Sequence, residues 1–161
     1  MRSFEFMRAL PAAIEAELDP QWQHFKHQAR AWLVQLYYAR PDIHYEVWHL
    51  GQQRSSHPQG SLEIGLHFES RTSAENSALL LGFQSYLGYI KHTLGPRWEA
   101  EAWDKGWAKV YTTLPHTGFT PENLTHVAQV MAAAMGVLQP ILEAQLQANP
   151  SLISSKIETN R

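Results

Sequence analysis

The chain has 161 residues, 13 of them basic and 15 acidic, for a net charge of -2, and it contains no cysteine. That length fills one domain core, and the lack of cysteine excludes disulfide scaffolds, thiolate metal sites and thiol nucleophiles together. No basic run is longer than two residues, so the electrostatic footprint of a nucleic-acid binder is missing.

The start, Met1 to Phe6, places Glu5 where a signal peptide needs an apolar run, and no uninterrupted apolar stretch of about 18 residues marks a membrane span. The expectation is a soluble cytoplasmic protein with neither nucleic acid nor membrane as partner. Six tryptophans (22, 32, 48, 98, 103 and 107) are many for this length, and most are expected in the core.

In chain order, a short helix is expected over Pro11 to Leu18. Asp19-Pro20 then reads as an N-cap followed by proline at the first helical position. Trp22, Phe25, Ala29, Trp32, Leu33 and Leu36 recur at three- and four-residue spacing, which predicts a helix that Arg40-Pro41-Asp42 ends. Tyr45 to Leu50, rich in β-formers, is a first strand, and the polar segment from Gly51 to Gly60 is a loop.

Ser61 to Glu69 alternates without a break. Leu62, Ile64, Leu66 and Phe68 fall on one side, with Ser61, Glu63, Gly65, His67 and Glu69 on the other, as in a half-buried strand. Thr72 or Ser73 opens a second helix, with Glu75 spaced for a capping box, and Leu94-Gly95-Pro96 closes it. Arg97 to Asp104 and Trp107 to Leu114 are two strands around Lys105-Gly106. Thr120-Pro121-Glu122-Asn123 begins a long helix that Pro140 should kink or divide.

The expected fold is therefore α+β: one domain over residues 1–150 in the order α-ββ-α-ββ-α, with a loose polar tail over residues 151–161. An antiparallel sheet of about four strands carries helices mainly on one face. By topology alone this order resembles the small helix-flanked-sheet domains of type III secretion chaperones, without a shared motif.

The face away from the helices should gather Glu63, His67 and Glu69 with Glu99, Glu101, Trp103, Trp107, Lys109 and Tyr111. Gly65 should leave a slot there for a ring or a backbone. Exposed tryptophan and tyrosine rimmed by carboxylates suit a protein or peptide partner, or a second copy of the chain. The expected function is thus non-catalytic, that of an adaptor, chaperone-like or regulatory module, homodimeric and without a cofactor.

The alternative is a small metal-dependent hydrolase or nuclease with His67, Glu69, Glu99 and Glu101 as ligands, since imidazole and carboxylate replace thiolate in such sites. His24 and His27 are three residues apart but lack a third ligand. No Ser-His-Asp spacing, glycine-rich phosphate loop or His-Glu-x-x-His pattern is present.

Overall fold

A computed structural model describes residues 1–51 and 60–150. Helix α1 (Ser3–Glu17) is followed by a short 3-10 turn (Pro20–Trp22) and four strands, β1 (Lys26–Ala29), β2 (Leu33–Tyr37), β3 (Ile43–Leu50) and β4 (Ser61–Phe68). Helices α2 (Ser73–Ser85) and α3 (Leu87–Leu94), strands β5 (Glu99–Trp103) and β6 (Trp107–Pro115), and helix α4 (Pro121–Ala148) complete it. Among the described residues the strands form one six-stranded antiparallel sheet in the order β1-β2-β3-β4-β6-β5.

The sheet has six strands where about four are expected, and the difference lies in Trp22 to Leu36. Asp19 does cap a helical start, its Oδ1 accepting from the Gln21 N–H at 3.1 Å, but only the three-residue turn forms. Beyond it Val34 and Leu36 point inward, paired with Val47 and Tyr45. The β-branched and aromatic residues around Trp32 to Tyr38 suit a pleated surface, and their side-chain burial in the sheet overrides the three-and-four spacing. The order becomes α-ββββ-αα-ββ-α, which departs from the one that resembled the secretion chaperones.

The helices pack on the face carrying Leu62, Ile64, Leu66 and Phe68. Phe83 of α2 meets Phe68 at a ring distance of 5.3 Å, and the Tyr45 hydroxyl donates to Gln139 Oε1 of α4 at 2.9 Å. Phe6, Met7, Leu10 and Ile14 of α1 join the same core.

Helix α4 opens as its sequence requires, with Thr120 Oγ1 accepting from the Asn123 N–H at 3.1 Å. It runs through Pro140 as one helix. By length and composition it could cross a membrane, but Val127, Met131, Ala134, Met135 and Leu138 are buried in the core. The capping box expected at Thr72 does not form: Thr72 makes no side-chain cap bond, and the Glu75 carboxylate binds Ser70 and Arg40 instead. The single helix expected there is broken at Tyr86 into α2 and α3. The predicted Gly51 to Gly60 loop and the predicted tail lie largely outside the described residues.

Candidate functional site

On the face opposite the helices the ladder register brings together side chains distant in sequence. His44 of β3 pairs with His67 of β4, His67 with Lys109 of β6, and Lys109 with Glu101 of β5. The adjacent row runs Gln35, Glu46, Gly65, Tyr111 and Glu99. Alternation sends all of these residues to one side.

The centre of this face is not solvated. His67 is 1% exposed, His44 2%, Glu63 4% and Glu46 6%, so β4 is buried on both sides rather than on one. Neighbouring side chains supply part of the cover. The Trp103 ring meets His67 edge-on at 5.6 Å, and Lys109 Nζ lies 4.9 Å from the Trp103 ring and 4.2 Å from the Tyr111 ring. Gly65 makes room for Tyr111: a Cβ at Gly65 would stand 2.7 Å from Tyr111 Cβ and 2.6 Å from the Val110 carbonyl oxygen.

Beneath these rings lies a connected set of charges. Lys109 Nζ donates to Glu63 Oε2 at 2.9 Å, and Glu63 Oε1 accepts from His67 Nε2 at 3.2 Å. His44 Nδ1 lies 2.8 Å from the Pro41 carbonyl oxygen. A carbonyl only accepts, so Nδ1 carries a proton and donates it. Gln35 Nε2 sits 3.2 Å from His44 Nε2 and donates to Glu46 Oε2 at 2.8 Å. Glu46 and Glu69 carboxylate oxygens approach His44 Nε2 to 3.3 Å and 3.4 Å. The two imidazoles stack, with centroids 5.5 Å apart and planes 25° from parallel.

His67 Nδ1 is buried without a hydrogen-bond partner, 3.8 Å from Glu69 Oε1. Glu69 therefore acts on this ring through its charge rather than through a bond.

At His67, Glu63 and Glu46 burial opposes charge, and close opposite charges win. For His67, burial disfavours the imidazolium, but the bond to Glu63, the nearby Glu69 and the charges of Glu46 and Glu63 outweigh it and carry the pKa up to about 9. Burial would raise Glu63, yet His67 and Lys109 hold it below the usual carboxylate range. Glu46 is likewise lowered against its burial, by His44, His67 and Gln35. Burial and then the bond to Glu101 at 2.5 Å raise the Tyr111 phenol above its ordinary value.

Of the residues singled out in the sequence, Glu63, His67, Glu69, Lys109, Trp103 and Tyr111 converge. Trp107 lies beside them, 5.4 Å from the Trp103 ring. Glu99 and Glu101 stand on the same face at its exposed edge, Glu99 accepting from Lys91 at 3.0 Å and Glu101 from the Tyr111 hydroxyl.

His44, Glu46 and Gln35 went unassigned from sequence. Their signal was there: His44, Glu46 and Trp48 alternate with Tyr45 and Val47, the same pattern that marks β4. Such an arrangement can hold protons or a cation, and its half-exposed rings can receive one from outside. No family model, no curated protein and no solved structure matches this chain, so the geometry of this face is what speaks to its function.

Proposed function

We propose that the protein is a non-catalytic binding module whose outer sheet face receives a protein or peptide segment bearing arginine or lysine. The observation that carries this reading is a strip along β5 and β6 where half-exposed Trp103, Trp107 and Tyr111 adjoin exposed Glu99 and Glu101. Aromatic rings beside carboxylates match a guanidinium or ammonium group, which would compete there with Lys109 at the Trp103 and Tyr111 rings and with Lys91 at Glu99. Lys105 Nζ already lies 5.0 Å from the Trp107 ring, so a cation suits that ring face.

Hydrolysis is less well served. It needs an imidazole and carboxylate within reach of substrate, whereas His67 and Glu63 are buried and both Glu63 oxygens are engaged.

The test is a displayed library of short peptides selected on the immobilised protein. Enriched peptides rich in arginine or lysine, bound at least ~10-fold more weakly by Trp107→Ala and by the double variant Glu99→Lys/Glu101→Lys, are expected. Absence of enrichment, or peptides bound equally well by both variants, would overturn the reading. The same face could carry self-association. A light-scattering mass of twice 18.4 kDa that falls when peptide is added would reassign it to a dimer.

A further inference from the structure

We infer that His44 Nε2, His67 Nδ1 and Glu69 form a binding site for one divalent transition-metal ion of the zinc type. This site lies below the face proposed for peptide binding and does not depend on that reading.

The first reason is the direction of the two imidazoles. A histidine that binds a metal through one nitrogen usually donates its other ring N–H to a carbonyl or carboxylate, which fixes tautomer and orientation. Both rings satisfy this condition, His44 through the Pro41 carbonyl at 2.8 Å and His67 through Glu63 at 3.2 Å. Glu63 is itself held by Lys109 at 2.9 Å. The second nitrogens, Nε2 of His44 and Nδ1 of His67, both stand close to the Glu69 carboxylate. A metal ion there would take His44 Nε2 from Gln35, 3.2 Å away, and displace the proton of His67 Nδ1.

The second reason is that His67 Nδ1, on a side chain only 1% exposed, has no hydrogen-bond partner. A buried polar atom without a partner is uncommon and calls for a ligand or a role. Here it points into the group formed by the other two donors.

Spacing and chemistry agree. The donor atoms of the three residues lie within 4.8 Å of one another. A tetrahedral zinc ion with bonds of about 2.0–2.1 Å sets its ligand atoms roughly 3.3 Å apart. The 3.4 Å between His44 Nε2 and Glu69 Oε2 meets that spacing, and His67 Nδ1, at 3.8 Å from the other carboxylate oxygen, closes in when the ion binds.

Two imidazoles with one carboxylate suit zinc, iron(II), manganese(II) or cobalt(II), whereas magnesium and calcium favour oxygen alone. The surroundings favour a cation too: once His67 has given up its proton, Glu46, Glu63 and Glu69 are three carboxylates against the single ammonium of Lys109. Glu69, 16% exposed, marks the side from which an ion enters. Bound there, the ion would join β3, β4 and the turn after β4, with a fourth coordination position left for water.

The experiment uses the full chain made without a histidine tag, stripped with chelator, then titrated with zinc sulfate against a chelating dye. The background variant His24→Gln/His27→Gln removes the exposed histidine pair that is three residues apart as a competing zinc site. One equivalent of zinc at micromolar affinity or tighter is expected. His44→Gln and Glu69→Gln should each weaken it at least ~10-fold, the loss that outer partners alone produce.

Zinc X-ray absorption on the loaded wild type should show two imidazoles in an all-nitrogen-and-oxygen shell. If His44→Gln fails to fold, the part-exposed Glu69→Gln and the absorption spectrum still decide. The inference is overturned by sub-stoichiometric zinc, by undiminished binding in a folded variant, or by a shell with fewer than two imidazoles. None of these results depends on whether a peptide binds above.

Discussion

Two buried polar clusters meet at the end of β4, and they are built to opposite standards. One is a latch. Arg40 grips Asp42 through Nε at 3.0 Å and Nη2 at 2.7 Å, and also bonds Glu75, whose other oxygen accepts from Ser70 Oγ at 2.8 Å. Asn76 clasps the Ser70 backbone at 3.0 Å and 2.9 Å and reaches the Gly106 carbonyl at 3.0 Å.

Among the described residues no buried side-chain polar atom of this latch lacks a partner, whereas the His44–His67 cluster leaves His67 Nδ1 and the overlying Trp103 Nε1 unmatched. A fully satisfied network fixes turns relative to one another. One with a nitrogen to spare retains binding capacity. Consecutive residues divide the two tasks, Glu69 facing the histidines and Ser70 the latch.

The largest expected effect breaks the latch. Arg40→Ala leaves Glu75 buried without its cation and should destabilise the protein by about 3–5 kcal/mol in urea unfolding. A loss below about 1 kcal/mol would mean that the latch does not hold the turns.

The next effect separates the clusters by pH, measured with chelator present. The His67 pKa in the folded protein, about 9, stands above its ordinary 6.5. Its contribution is therefore complete below pH 6.5 and lost as pH rises through 9. The stability difference between wild type and His67→Gln should shrink over that range by on the order of 2 kcal/mol. His49 and His116, lowered by burial, act oppositely at lower pH, but both proteins contain them and the difference cancels them. Arg40, raised by its bond to Asp42 against the opposing effect of burial, does not titrate there. The loss from Arg40→Ala should stay flat, and a flat His67→Gln difference would refute the contrast.

Lys109→Met comes third. It strands one Glu63 oxygen while His67 keeps the other, so a loss of about 1–3 kcal/mol is expected. A double-mutant cycle with Glu63→Gln should recover most of it as coupling. Additive losses would show the pair to be independent.

The sequence disclosed these clusters unequally, for physical reasons. The β4 alternation placed Glu63, His67 and Glu69 on one face, because a period of two leaves little freedom once Leu62, Ile64, Leu66 and Phe68 are inside. It could not say that this face is buried, since cover by Trp103 and Tyr111 depends on strand order, which only the fold supplies. Glu75 illustrates the converse. Its spacing from Thr72 fitted a capping box, but Arg40, 35 residues upstream, takes the carboxylate, and a buried ion pair outcompetes a local cap. β2 was hidden because Leu33 and Leu36 fit a helical stripe, whereas in the strand Val34 and Leu36 share the core face, and pairing with β3 decides between them.

The smallest effect tests the unmatched nitrogen above the histidines. Trp103 packs on His67 at 5.6 Å, Lys109 at 4.9 Å and Trp107 at 5.4 Å, yet its Nε1–H is buried without an acceptor. Trp103→Phe keeps an aromatic face toward Lys109 and removes the unsatisfied donor, whose burial costs about 1–3 kcal/mol. It also gives up part of the ring's apolar contact, so the two changes offset and stability should stay within about 1 kcal/mol of wild type. Trp103→Ala keeps neither the contact nor the cover over His67 and should cost about 2 kcal/mol or more. If urea unfolding finds Phe as costly as Ala, the indole N–H has an acceptor in solution. The asymmetry between the clusters would then narrow to His67 Nδ1, the atom that the metal titration addresses directly.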